Sequence, residues 1–197
     1  MHSNHNIFRI TNNNTLPRKG NILISEPFLD DKYFGRSVVL LVEHNDTGTM
    51  GFVINKPMKE TINDFFPELK LNEVIPVFRG GPVSANKLFY IHTLGDLIPR
   101  SYPINDELFF DGDFNAVKKY LKEGNDINEQ IKFFLGYSGW DEKQLGNEIF
   151  NHSWLVSKLA NAKIMKSEGE SCWKKSLQDL GDKYKAWANF PKRPFFN

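Results

Sequence analysis

Apolar residues in this chain fall first in short runs of strand length and later at helical spacing. Between Gly20 and Met58, the runs 21–25, 37–43 and 50–55 are rich in β-branched and aromatic residues and read as strands. The last two flank the polar segment 44–48, which suits a hairpin turn. Segment 37–43 is apolar at consecutive rather than alternate positions, which predicts cover on both of its faces. Pro57 is expected to end the third strand, and 61–66 reads as a short helix stopped by Pro67.

Further strands are expected near 74–79, 88–92, 107–110, 131–137 and 153–156. Asp113 is placed to cap a helix running through Lys122, with Phe114, Val117 and Leu121 on one face and Gly124 as its stop. Ser138-Gly139-Trp140 reads as the link from a strand into a helix whose start, Asp141 to Gln144, has capping-box spacing. Leu145 and Ile149 then share a face of that helix. From 170 to 188, Trp173, Leu177, Leu180, Tyr184 and Trp187 recur at steps of 4, 3, 4 and 3. That spacing predicts one amphipathic helix, closed by Pro191 and weak at Gly181. Strands dominate early and helices are scattered and later, so the class is α+β rather than regular βαβ alternation.

With 197 residues, one domain is the default. A flexible leader (1–18), a single domain (19–190) and a short tail (191–197) are expected. The formal net charge is +1, too small for a field that would gather nucleic acid or anionic lipid. Charge is uneven, however. Residues 58–157 carry 10 basic against 15 acidic residues (−5), and 158–197 carry 9 against 4 (+5). The basic end reads as a solvated helix face or a partner surface. Cys172 is the sole cysteine, which excludes an intrachain disulfide and fits a reducing cytoplasm. No signal-peptide core or membrane-spanning run is present in the sequence. A cytoplasmic protein with no membrane association is expected.

Candidate chemistry is sparse. Glu26, Asp30 and Asp31 put three carboxylates in one loop, where acids serve catalysis, cation binding or plain turn formation. Arg36 enters the second strand and suits either a structural pair with one of those acids or bidentate capture of an anion. Arg79-Gly80-Gly81-Pro82 follows a strand, so a guanidinium and backbone N–H groups are expected near any small anion there. It lacks the Lys-Ser/Thr sequel of a Walker loop. Ser138 lacks the second glycine of a nucleophile elbow, because Trp140 stands there. The five histidines show no paired metal spacing, Cys172 reads as a packing residue, and no cofactor motif occurs. Neither metal nor cofactor is expected. A helix-turn-helix is not discernible, so direct DNA binding is not expected.

Three ordered blocks carry a family resemblance. They are GNILISEPFLDDKYFGRSVVLLVEHNDTGTMGFVINKP, FRGGPV at Phe78 to Val83, and FFLGYSGWDEKQLGNEI at Phe133 to Ile149, followed by Trp154. Together with Trp173 and Leu180-Gly181, they resemble the AlgH/YqgE-like bacterial proteins from Gly20 to Ala188. The resemblance implies a bifurcated, partly closed, mainly antiparallel sheet surrounded by helices, and a cytosolic location. Such proteins are commonly labelled transcriptional regulators, and the family offers no catalytic residue to carry over. This chain departs from the family pattern at Lys143, where Gly is common, and at Gly146, where Glu is common; Glu148 lies half a turn on.

The sequence therefore favours a non-enzymatic regulatory or binding protein with a small-molecule, peptide or protein partner. The alternative is an enzyme on a small anionic metabolite or nucleotide. Candidate ligand-binding residues are Glu26, Asp30, Arg36, Arg79, Gly80, Gly81 and Trp140, and Glu26 or Asp30 would be the base of the alternative.

Overall fold

The computed structural model describes residues 13–191. Residues 1–12 of the expected leader and 192–197 of the expected tail lie outside the described residues. In chain order the strands are β1 (Ile22–Ser25), β2 (Val38–Asn45), β3 (Gly48–Val53), β4 (Pro57–Thr61), β5 (Pro76–Arg79), β6 (Val83–His92), β7 (Tyr102–Pro103), β8 (Phe109–Phe110), β9 (Ile131–Asp141) and β10 (Trp154–Ser157). The helices are α1 (Ile62–Phe65), α2 (Phe114–Lys122), α3 (Gln144–Phe150), α4 (Asn161–Met165), α5 (Gly169–Gln178) and α6 (Asp182–Trp187).

These strands form one ten-stranded sheet with the path β10-β1-β2-β3-β9-β6-β8-β7, to which β5 and then β4 attach as a branch. The ladders are antiparallel except β5 with β9. The branch arises on one edge of β9. There, residues 138–141 pair with β3 while 133–135 pair with β5, and β6 holds the opposite edge. The sheet forks at β9 and does not close into a barrel.

Period-two alternation sorts the apolar strand residues between two covered faces. Ile22, Ile24, Val38, Leu40, Val42, Phe52 and Ile54 face a core shared with Trp173, Leu177, Tyr184 and Trp187 of α5 and α6. Leu23, Val39, Leu41 and Val53 face the other way, onto Trp140, Leu145 and Trp154. Both faces of β2 are thus buried, as its unbroken apolar run predicts. A third cluster joins Val77, Tyr90 and Phe133 to Ile62, Val117 and Leu121 of α1 and α2. Burial of this kind contributes about 25 cal/mol per Å² of apolar surface. Asp113 caps α2 by accepting from Asn115 N at 2.9 Å.

The structure corrects four sequence expectations. Pro57 opens β4 instead of ending a strand. As an edge strand paired, among the described residues, only with β5, β4 tolerates a residue with no N–H. Ser138, Gly139 and Trp140 belong to β9, because β3 needs a partner along residues 48–51. The C-terminal stripe is two helices: Gly181, at φ +115°, breaks it in a conformation that L side chains rarely adopt. Trp173, Leu177, Tyr184 and Trp187 still bury on one face because the turn re-aims α6 onto the same core. Finally, α6 ends at Trp187, before Pro191.

Asn13, inside the expected leader, is already pinned: its amide spans the edge of β10, bonding both the N–H and the C=O of Val156.

Candidate functional site

The loop from β1 to β2 is built by its acids. Glu26 accepts from Phe28 N at 2.8 Å, and Asp31 accepts from the N–H groups of Tyr33 and Phe34. The Asp31 contacts form an Asx-type turn, and Glu26 closes its own turn through one methylene more. Burial pushes the Glu26 carboxyl above its usual range, against the Phe28 hydrogen bond. The loop ends at Arg36, which is buried and sits at φ +54°, a sparsely populated conformation for a branched-out cation.

Several contacts hold Arg36 in that conformation. Its Nη1 donates to Glu170 Oε1 and its Nη2 to the carbonyl of Phe190, while the guanidinium lies 5.0 Å from the centre of the Trp173 ring. The acid partner is therefore Glu170 of α5, not Glu26, Asp30 or Asp31. Buried guanidinium needs an anion beside it, since desolvation otherwise costs several kcal/mol; Glu26 and Asp31 instead accept from backbone N–H groups of their own loop.

Asn55 ties the surrounding segments together. Its Oδ1 accepts from Val38 N at 2.9 Å, and its Nδ2 donates to the carbonyls of Arg36 and Gly169 at 3.1 and 3.0 Å. Its own carbonyl accepts from Gly169 N at 2.8 Å. One buried amide thus fixes the start of β2, the end of the acidic loop and the first turn of α5.

A cleft of about 390 Å³ opens where these segments meet the fork of the sheet. Lys32, Arg36, Lys56 and Arg79 line it, with Glu170 as the single carboxylate among the described residues. Arg79 reaches it from the last residue of β5, whose N–H donates to Lys56 O at 2.8 Å. Tyr33 sits among the cations: its ring centre is 5.7 Å from Lys32 Nζ and 5.9 Å from Arg79 Cζ, and its carbonyl accepts from Lys56 Nζ at 2.6 Å. Among the described residues no carboxylate lies within ion-pair distance of Arg79 or Lys32.

The other candidates lie elsewhere. Glu26 and Asp30 are not among the residues lining this cleft. Gly80 donates its N–H to Leu135 O and accepts from Val53 N and Ser138 Oγ, so its amide is committed to the sheet. A Cβ on Gly80 would stand 2.2 Å from Gly136 O, and one on Gly81 2.3 Å from Tyr137 C. These glycines permit close backbone approach at the fork. Trp140 is buried on the opposite face, with its indole N–H held by Glu148 Oε2 at 2.8 Å. A separate groove of about 400 Å³ borders it, with Glu43, Thr47 and Tyr137.

The AlgH-like family profile matches residues 22–185, from the first residue of β1 into α6. The chain belongs to the AlgH-like family. AlgH-like relatives include a UPF0301 protein of Parabacteroides distasonis, 53% identical with both chains fully covered. A UPF0301 protein of Bacteroides thetaiotaomicron is 49% identical over 197 residues, again with full coverage of both. The solution structure of the AlgH protein from Pseudomonas aeruginosa aligns with a TM-score of 0.69 at 26% identity, covering 89% of this chain and 95% of that one. A crystal structure from Corynebacterium diphtheriae gives the same TM-score at 19% identity, a likeness of fold alone. AlgH-like membership fixes the α+β architecture and assigns no activity. In this AlgH-like chain no helix of the described residues is long and apolar enough to cross a membrane.

Asn55 and Lys132 belong to no motif or spacing pattern in the sequence. Lys132 lies within β9 and is only 4% exposed. Its Nζ donates to Ser167 O at 2.6 Å and Met165 O at 3.3 Å, and rests 3.7 Å above the Phe78 ring. Burial pushes it down to about 7. The available signal was a lone charge between Ile131 and Phe133.

Proposed function

We propose that this is a cytoplasmic, non-enzymatic binding or regulatory protein that takes a small anionic ligand in the Arg36–Arg79 cleft. One observation carries the reading: among the described residues, four cationic side chains from three separate segments line one cleft against a single carboxylate. Fixed guanidinium groups suit oxyanions because their planar forks match carboxylate and phosphate geometry.

Binding is favoured over turnover by what stands beside those cations. Glu170 is ion-paired to Arg36 and also to Lys174, at 3.4 Å, an arrangement that suits charge balance better than proton transfer. The alternative, an enzyme using Glu26 or Asp30 as base, gains no support, since neither lines the cleft. Regulation is proposed to act through ligand or protein contact rather than DNA. Lys174 and Lys185 of α5 and α6 are engaged by Glu170 and Asp182, which leaves less basic surface for a duplex.

Titration of the purified protein with inorganic pyrophosphate tests the reading. Saturable binding, weakened at least tenfold in Arg79→Ala and accompanied by no phosphate release, is expected. Absence of saturation, or equal affinity in Arg79→Ala, removes the cleft as the binding site. Tight duplex-DNA retention with a steep salt dependence would replace the proposal with direct DNA contact.

A further inference from the structure

Given an anion site between Arg36 and Arg79, which the preceding section proposes, we propose further that Glu170 is a resident anion displaced from Arg36 by the ligand. The cleft then admits phosphoryl-bearing dianions and polyanions and discriminates against simple carboxylates.

Arg36 is prepared to hold an anion. Its guanidinium lies over the Trp173 ring and is anchored by the Phe190 carbonyl, so its orientation does not depend on Glu170 alone. The two partners differ in exposure: the Arg36 side chain is 9% exposed and the Glu170 side chain 31%. The arginine is therefore the fixed member and the glutamate the movable one.

Glu170 also has a second place to go. Lys174 stands one turn along α5, 3.4 Å from the same Oε1. A side-chain rotation away from Arg36 leaves the carboxylate with Lys174 at the rim, so its release strands no charge. The vacated guanidinium would join Arg79, Lys56 and Lys32 around the entering group.

This exchange sets the ligand class. Glu170 is tethered next to Arg36 and competes at a high effective concentration. A free monocarboxylate offers Arg36 what it already has and gains nothing by replacing it. A phosphoryl group carries more charge and a third oxygen, so it can engage Arg36 in bidentate fashion and reach a second cation at once.

The test is titration of the full chain with pyrophosphate and with acetate, for wild type, Glu170→Gln, Glu170→Asp and Arg79→Ala. Affinity is read by calorimetry, and the Trp173 indole N–H by NMR. Wild type is expected to bind pyrophosphate but not acetate, with the Trp173 resonance moving as Arg36 changes partner. Glu170→Gln is expected to bind pyrophosphate at least tenfold more tightly and to acquire measurable acetate binding. Glu170→Asp keeps the charge near the helix start but shortens its reach, and is likewise expected to bind pyrophosphate more tightly than wild type. If both Glu170 variants remain folded and bind no better than wild type, while Arg79→Ala still weakens binding, Glu170 is a structural partner only and the displacement falls. If neither wild type nor Glu170→Gln binds pyrophosphate, the anion site itself falls.

Discussion

Trp140 and Trp154 donate their indole N–H groups to the same oxygen, Oε2 of Glu148, at 2.8 and 2.7 Å. Their rings meet edge to face, 6.0 Å apart, and Gln144 occupies the other carboxylate oxygen at 2.9 Å. Glu148 thus joins β9, α3 and β10 from one point. Glu148→Ala would leave two largely buried indole donors without a partner, at about 1–3 kcal/mol for each such group. A loss of about 2–4 kcal/mol is expected by urea denaturation followed by tryptophan fluorescence. Glu148→Gln, which keeps one acceptor oxygen, is expected to lose less. Equal stability of Glu148→Ala and wild type would remove the clamp from the account.

Gly80 and Gly146 make a matched pair of substitutions. At Gly80 a methyl group meets backbone oxygen at 2.2 Å, a clash no rotamer relieves. Gly80→Ala is expected to destabilise by about 3 kcal/mol or more and to reduce soluble yield. At Gly146, inside α3, nothing lies within 4 Å. Gly146→Ala is expected to be neutral or to stabilise by up to about 1 kcal/mol. Thermal melts of the two variants measure the contrast.

Lys132 should imprint a slope on stability against pH. Its folded value, about 7, lies below its ordinary 10.5, so between those values the unfolded chain binds the extra proton. Stability then rises with pH across that window, by at most about 1.4 kcal/mol per unit. Below pH 7 both states are protonated, and the full burial penalty remains. Lys132→Met lacks the titrating group, so the wild-type-minus-variant stability is expected to climb from pH 7 to 9. A flat difference would show that Lys132 keeps an ordinary proton affinity.

His92 acts on the acid side. It is fully buried, with Nε2 facing Ser101 Oγ at 2.8 Å and Asp111 O at 3.2 Å, while Nδ1 accepts from Leu94 N at 3.3 Å. Burial lowers its proton affinity, outweighing the Asp111 carbonyl. Below pH 6.5 the unfolded state gains a proton that the folded state resists, so stability falls as pH drops from 6.5 toward the depressed folded value. Denaturant midpoints at pH 7 and 5 are expected to differ less in His92→Gln than in wild type. The same difference in both proteins would assign the acid sensitivity to other groups.

Much of the architecture was readable where it depended on local pattern. The consecutive apolar residues Val38 to Val42 announced a doubly covered strand, and Asp113 announced a helix start. The Trp173–Trp187 stripe found its buried face, although the single helix it predicted is two, divided at the weak point Gly181. The candidate site was readable only in its pieces. Arg36 could be picked out as a cation entering a buried strand, but its partner lies 134 positions away, a pairing that loop closure hides from any spacing rule. Gly80 and Gly81 were ambiguous in sequence because phosphate loops and close backbone crossings use the same residue. Asn55 was hidden at a strand end, where a buried amide and an exposed one have the same sequence signature.

The fork at β9 also constrains how the chain assembles. Strands β3, β5 and β6 all precede β9 in sequence and pair directly with it, and these long-range ladders must wait for residues 131–141. During synthesis their shared partner emerges last of the four, so β3, β5 and β6 must spend an interval with apolar faces and unpaired edges. Such a chain is most open to mispairing just before that strand appears. Once β9 docks, it couples all three ladders at once. These three ladders should therefore form together in one concerted step rather than one after another.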